Sequence, residues 1–216
     1  MRPKDAASLV LIRRAGGKIE ILMGRRHKKT RFMPDAFVFP GGRVDAADAR
    51  ARAATPLASE VEVHLRRGAT PARARALAMT AVRETFEETG LMLGVAGSVG
   101  STRDEGWVAV GQTGLAPDLA RLDYVGRAVT RHDSPIRFNA RFFMADAEHC
   151  EGRLGGSGEL LDLAFVPIIQ ARELPSAVIT QFMLSEVLRL DAAGPDQRRK
   201  RADYRWRAGG RVVEYV

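Results

Sequence analysis

RETFEETG, Arg83 to Gly90, closes an alanine-rich stretch that opens at Thr70-Pro71. Thr70 suits a helix N-cap, Pro71 the first helical position and Gly90 a left-handed C-cap, so the pattern predicts a helix from Pro71 to Glu88 or Thr89. Each helical residue turns the chain by roughly 100°, which puts Glu84, Glu87 and Glu88 on one face and Met79, Val82 and Phe86 on the other. Three neighbouring carboxylates repel, and an acidic i,i+4 pair such as Glu84 and Glu88 costs about 0.2–0.5 kcal/mol. Arg83 offsets part of this by pairing with Glu87. A hard divalent cation, Mg²⁺ or Mn²⁺, would supply the remaining positive charge; a solvated acidic helix end is the other reading.

The rest of the sequence sets the frame around that helix. With 216 residues and 45% apolar content, one buried domain is expected rather than two. No apolar run approaches the roughly 18 residues of a membrane span, and AASLVLI near the N-terminus lacks the length and flanks of a signal peptide, so a soluble, cytoplasmic protein is expected. Cys150 has no cysteine partner, and its neighbour His149 has no zinc-type companions in the sequence. The formal charge of +8 and pI near 10.3 admit phosphorylated metabolites or nucleic acid as partners.

ASLVLIRR and IEILMGRR read as two strands joined across Ala15-Gly16-Gly17-Lys18. AFVFPGG reads as a third strand ended by Pro40 and Gly41-Gly42. Residues 44–68 are polar and alanine-rich, helical in pieces, with Pro56 breaking them. After the acidic helix, GWVAVGQTG is weakly patterned. Strands follow near Tyr124–Thr130, in IRFNARFFMADA and in ELLDLAFVP, the last behind the Gly155-Gly156-Ser157-Gly158 turn. SAVITQFMLSEVLRL is an amphipathic helix, and Gly209-Gly210 looks like a terminal hairpin turn. Strands, helix, strands, helix is an α+β order.

FPGG followed later by RETFEETGL resembles the Nudix hydrolases, whose box reads G-x5-E-x7-R-E-U-x-E-E-x-G-U with U aliphatic. The second half matches at Arg83, Glu84, Glu87, Glu88, Gly90 and Leu91, with Thr85 in a U position. Gly42 stands 41 positions before Arg83, 27 more than in the plain box, which predicts an inserted segment over residues 44–69. Counted back from Arg83, the box's first glutamate falls on Arg75; Asp45, Asp48, Glu60 and Glu62 are the acids that could replace it, and spacing selects none. The insertion, with RFMPDAFVFPGGRVDAAD and RFNARFFMA, is similar to one branch, which contains peroxisomal coenzyme A diphosphatases and bacterial relatives. That branch suggests an aspartate where Asn139 stands and a glycine where Asp35 stands.

The resemblance implies a single-domain α/β/α sandwich with a mixed sheet, a basic C-terminal extension over 192–216, and a homodimer. It implies hydrolysis of the diphosphate linking a nucleoside to a group X, with coenzyme A or acyl-coenzyme A as the leading guess. Phosphoryl transfer of this kind needs positioning and charge neutralisation more than covalent help. Glu84, Glu87, Glu88 and the Gly42 carbonyl would hold Mg²⁺ or Mn²⁺, Arg83 would keep the glutamates in register, and the general base would be Glu84 or Glu159. From the basic run GRRHKKTR, Arg26 and Arg31 are candidates for substrate phosphate. Arginines mixed with Tyr204 and Trp206 in QRRKRADYRWR read either as an edge hairpin or as a nucleic-acid surface. The insertion, beside the glycine turn, reads as a lid or substrate-selecting flap. The alternative to an enzyme is a Nudix-fold nucleotide or RNA sensor without turnover.

Overall fold

A computed structural model describes residues 2–30, 33–193, 200–207 and 210–216. In chain order the elements are β1 (Lys4–Ala15), β2 (Lys18–Arg26), β3 (Phe37–Val38), β4 (Gly41–Arg43), α1 (Ala46–Arg50), α2 (Ser59–Arg66), α3 (Pro71–Thr89), β5 (Leu91–Ala96), α4 (Glu105–Gln112) and β6 (Leu115–Pro117). They continue with β7 (Asp123–Val129), β8 (Phe138–Asp146), β9 (Cys150–Gly152), β10 (Leu160–Pro167), α5 (Ile168–Ala171), α6 (Val178–Ala192), β11 (Ala202–Arg207) and β12 (Gly210–Tyr215).

The main sheet runs β10-β2-β1-β8-β7-β11-β12, with β3 on β2 and β4 on β1. It is mixed: β1 pairs in parallel with β8 and β11 with β7, while the remaining pairs are antiparallel. A small sheet, β6-β5-β9, stands beside it. One apolar core, with Leu9, Leu11, Leu77, Met79, Val82 and Trp107, lies under α3. A second, with Val10, Ile21, Val125, Met183 and Val187, lies on the opposite side under α6. Leu9 and Leu11 against Val10 shows the period of two that lets one strand feed both cores. The result is a single-domain α+β sandwich of the expected type.

The helix carrying RETFEETG is bounded as its caps dictate. Thr70 Oγ1 accepts from Arg73 N–H at 3.3 Å, Pro71 opens α3, and Gly90 closes it at φ 74°, a conformation glycine adopts without a Cβ penalty. Nearby, β3 stops at Val38, just before Pro40, as expected, but Gly41 and Gly42 do not interrupt sheet pairing: they form β4, paired with Ser8 and Ala7 of β1. GWVAVGQTG, patterned too weakly to assign, is α4, capped by Asp104, whose side chain accepts from Trp107 N–H at 3.1 Å. β11 and β12 pair antiparallel and add to the sheet edge through β7; Gly209 of the expected turn lies outside the described residues. Among the described residues no helix is long and apolar enough to cross a membrane.

Candidate active site

β4 and the C-terminal half of α3 meet so closely that a side chain at Gly42 would displace the Glu84 carboxylate. A Cβ on Gly42 would stand 2.3 Å from Glu84 Cδ. The amide of Gly41 donates to Glu88 Oε2 at 2.8 Å. At the other end, the glycine loop before β10 closes the open carbonyls of the last helical turn: Gly155 N–H donates to Thr89 O at 2.8 Å and Ser157 N–H to Glu87 O at 2.9 Å. That docking brings exposed Glu159 to the same cleft as Glu84, Glu87 and Glu88.

The acids are short of positive charge. Burial pushes the Glu88 carboxyl up to about 8, against the Gly41 hydrogen bond and with help from Glu84 and Glu159. Burial likewise raises Glu84 to about 7; Arg83 opposes the shift and Glu87 adds to it. A carboxylate is held up in this way where the loss of hydration outweighs the partners it has. Behind the acids, Arg83 is only 8% exposed at its side chain and binds Glu84 Oε1 at 3.0 Å and Glu87 Oε1 at 3.2 Å. Its Nε and Nη2 donate to Asp48 at 2.8 and 3.1 Å. Burial alone would lower the arginine's pKa, but the Asp48 hydrogen bonds and surrounding carboxylates raise it.

Asp48 is therefore the acid that meets Arg83, and Arg75 is not in that position: its guanidinium donates to Ala49 O at 3.3 Å and also reaches Ala51 O. Asp48 lies six positions after Gly42, the G-x5-E spacing counted forward from the glycine. Glu60 and Glu62 sit on α2, and Asp45 caps α1.

A cleft of about 700 Å³ runs from the glutamates along the main sheet. Ala6, Ala140, Ala128 and Tyr204 are paired neighbours across β1, β8, β7 and β11, and all four line it. The three alanines leave a shallow floor. Phe39, Phe138, Phe142, Trp206 and Ile179 wall it, an apolar arm leading away from the acids. Arg26 lines the acidic end, and its buried Nε has no hydrogen-bond partner among the described residues. A second, more open cleft reaches Glu84 and Glu87 from the side of Arg43, Arg103 and Glu105.

Of the sequence-predicted site residues, Glu84, Glu87, Glu88, Gly42, Arg26 and Glu159 come together in the first cleft, while Arg83 supports them from the side of the second. Arg31 lies outside the described residues. Arg25 is held by Asp162 at 2.7 Å and by Asp35, so it is not turned to substrate. Asp35 has φ 58°, the left-handed backbone that explains a glycine preference there and that aspartate tolerates. Asn139 accepts from Arg127 at 2.8 Å and Arg141 at 2.6 Å and donates to Asp5 at 2.7 Å; its amide N–H meets an acid that an aspartate would repel. In the C-terminal stretch, Tyr204 is 3% and Arg201 6% exposed, which removes them from any nucleic-acid surface; Arg198 and Arg199 lie outside the described residues. Asp146, Glu148 and His149 do come together, but Asp146 is ion-paired with Arg14. Burial pushes the Cys150 thiol up to about 12, away from thiolate chemistry. Of the segment 44–69 read as a lid, Val44 and Asp45 border the second cleft, none lines the first, and α2 buries Val61 and Leu65 in the core under α3.

Trp107 and the apolar wall escaped the sequence reading. Asp48 was within reach of it, had the box been counted forward from Gly42.

No protein-family model and no curated protein matches the chain. Among solved structures, a Nudix hydrolase from Alicyclobacillus acidocaldarius is 33% identical, with TM-score 0.65 over 86% of this chain and 90% of that one. A MutT protein from Bacillus halodurans shares the fold at 13% identity and TM-score 0.52, covering 98% of this chain and 97% of that one. Another, from Methanosarcina mazei Go1, shares it at 13% identity and TM-score 0.51, over 89% and 99%. The fold and the acid helix define a pyrophosphohydrolase. The chain belongs to the Nudix hydrolase family, which cleaves nucleoside diphosphates linked to a second group X and generally uses divalent metals.

Proposed function

We propose that the cleft hydrolyses the diphosphate of a nucleoside diphosphate linked to X in a reaction dependent on Mg²⁺ or Mn²⁺, with coenzyme A or an acyl-coenzyme A as the leading substrate. The observation that carries this reading is the gathering of three glutamates, two of them pushed up to about 7 and 8 by burial, at the head of an apolar arm. All-oxygen donors in a charge-deficient pocket fit a hard cation. Glu84, Glu87, Glu88 and the Gly42 carbonyl would hold it. When bound, such an ion neutralises diphosphate charge and acidifies water.

The chain's own groups do the rest. Arg83 keeps Glu84 and Glu87 at fixed separation through its two ion pairs. Arg26, whose buried Nε has no partner among the described residues, contacts a substrate phosphate, and Arg31 follows five positions later in the same basic run. Glu84 or Glu159 takes the proton of the attacking water, Glu159 being exposed at the cleft mouth and Glu84 being raised to about 7 by burial. The apolar arm supports an X with little charge, such as an acylated pantetheine. The segment added to the plain box then follows Asp48 rather than starting at residue 44, since Gly42 and Asp48 keep the uninserted spacing; it serves as a buttress to α3. A cytoplasmic homodimer remains the expected form of the protein, checked by sizing the purified chain.

The test is to incubate the protein with coenzyme A, acyl-coenzyme A, NADH, ADP-ribose, diadenosine polyphosphates and nucleoside triphosphates, with Mg²⁺ or Mn²⁺, and to weigh the products. Adenosine 3′,5′-bisphosphate and a phosphopantetheine from coenzyme A, absent with Glu88→Gln, are expected. Cleavage of other members only would move the substrate; silence across the panel would favour a nucleotide or RNA sensor, or a substrate outside the panel.

A further inference from the structure

Two consecutive residues of α4, Gly106 and Trp107, touch the acid machinery from outside the box motif. Trp107 is fully buried, and its indole N–H donates to Asp48 Oδ1 at 2.9 Å. That oxygen also accepts from Arg83 Nε at 2.8 Å. The other oxygen accepts from the Thr80 hydroxyl at 2.7 Å, Asp45 N–H at 2.8 Å and Arg83 Nη2 at 3.1 Å. The carboxylate cannot rotate without losing several of these bonds, so the plane of the Arg83 guanidinium is fixed. The remaining nitrogen, Nη1, faces Glu84 and Glu87.

Gly106 acts on the same acids by what it lacks. A Cβ there would lie 1.7 Å from Glu87 Oε1 and 3.1 Å from Arg83 Cδ. Any side chain would push Glu87 out of its place. The Asp104 cap on Trp107 N–H, at 3.1 Å, holds the turn that presents both residues. Phenylalanine would fill the core at position 107 almost as well as tryptophan. What it would not provide is a donor to a carboxylate that already has four others, and that fifth bond orients the group more than it satisfies it.

We propose that Trp107 is a positioning residue for the glutamate triad, acting through Asp48 and Arg83, and that Gly106 reserves the space in which Glu87 stands. α4 thereby becomes a third support of the cation site, beside β4 and the glycine loop. The inference rests on the reading of the triad as a divalent-cation site.

Mn²⁺ titrations followed by electron paramagnetic resonance, on the wild type, Trp107→Phe and Gly106→Ala, test it. Both variants should bind Mn²⁺ about tenfold or more weakly, the usual effect of losing an outer support of metal ligands. In Trp107→Phe kcat should fall with KM little changed, while near-ultraviolet circular dichroism outside the tryptophan bands and the melting profile show a folded protein. Wild-type Mn²⁺ affinity and kcat in a folded Trp107→Phe would overturn the role of the indole. Unchanged affinity in the folded fraction of a protein that merely melts earlier would do the same, by making Trp107 core packing only. Retained Mn²⁺ affinity in Gly106→Ala would remove that glycine from the support. Absence of Mn²⁺ binding and turnover in the wild type would overturn this inference together with the cation-site reading, whereas binding in the wild type that the variants leave untouched overturns the inference alone.

Discussion

Arg83 has carboxylates on both sides of its guanidinium, and the two sides differ. Behind it, Asp48 is wholly buried, yet five donors among the described residues reach its two oxygens. In front, Glu88 is 5% exposed and among the described residues receives one donor, the amide of Gly41. Burial is similar; partnership is not. The saturated acid is structural because nothing further can bind it. The starved acids attract whatever positive charge arrives, and this difference, more than the residue type, separates scaffold from site.

Neutralising a starved acid should have the largest effect on function. Glu88→Gln is expected to lower turnover on the order of 10³-fold, roughly 4 kcal/mol of transition-state stabilisation, while leaving the metal-free fold at least as stable at pH 8. Steady-state rates with Mn²⁺ and urea unfolding check the two halves separately. Removing the saturated acid should invert that pattern. Asp48→Ala leaves Arg83 buried without its main partner and should cost about 3 kcal/mol of folding stability, read from urea unfolding of the metal-free protein. Equal stability loss in the two variants would abolish the contrast.

A pH series sharpens the same comparison. In the folded metal-free protein the Glu84 and Glu88 pair titrates near 7 and 8 rather than at the ordinary 4.5. The folded state then holds protons that the unfolded chain has released, so stability is highest below about pH 4.5 for these groups and falls as pH rises toward 8. A cation displaces those protons. Mn²⁺ should thus raise the melting temperature more at pH 8 than at pH 6, and Glu88→Gln should flatten the difference. The smallest expected effect lies in the apolar arm: Ala140→Leu, on the alanine floor, should raise KM for an acylated substrate about tenfold with kcat preserved.

The acid helix was legible from sequence because its signals are local. Thr70, Pro71 and Gly90 set the ends, and rotation about the axis sets the face. Asp48 was not singled out, because its partner Arg83 lies 35 positions away and counting back from the arginine leads to Arg75 instead. α4 was obscured by Gly106 and Gly111, poor helix formers; Gly106 is there to make room for Glu87. The floor of the cleft was illegible for another reason. Ala6, Ala128 and Ala140 read as neutral residues in three separate strands, and only the cross-strand register makes them one surface. Arg25 and Arg26, adjacent in a basic run, were told apart by the acids that the fold brings to one of them.

The pairing of β1 with β8 has a consequence for how the protein forms. Those two central strands run in parallel and join residues 134 positions apart. Such a contact is repaid only after a long loop has been closed, so it forms late and slowly. β4, which holds the glycines against the glutamates, is hydrogen-bonded to β1. During synthesis the acid helix is therefore made long before the sheet it needs, and refolding experiments should find helical signal returning ahead of Mn²⁺ binding.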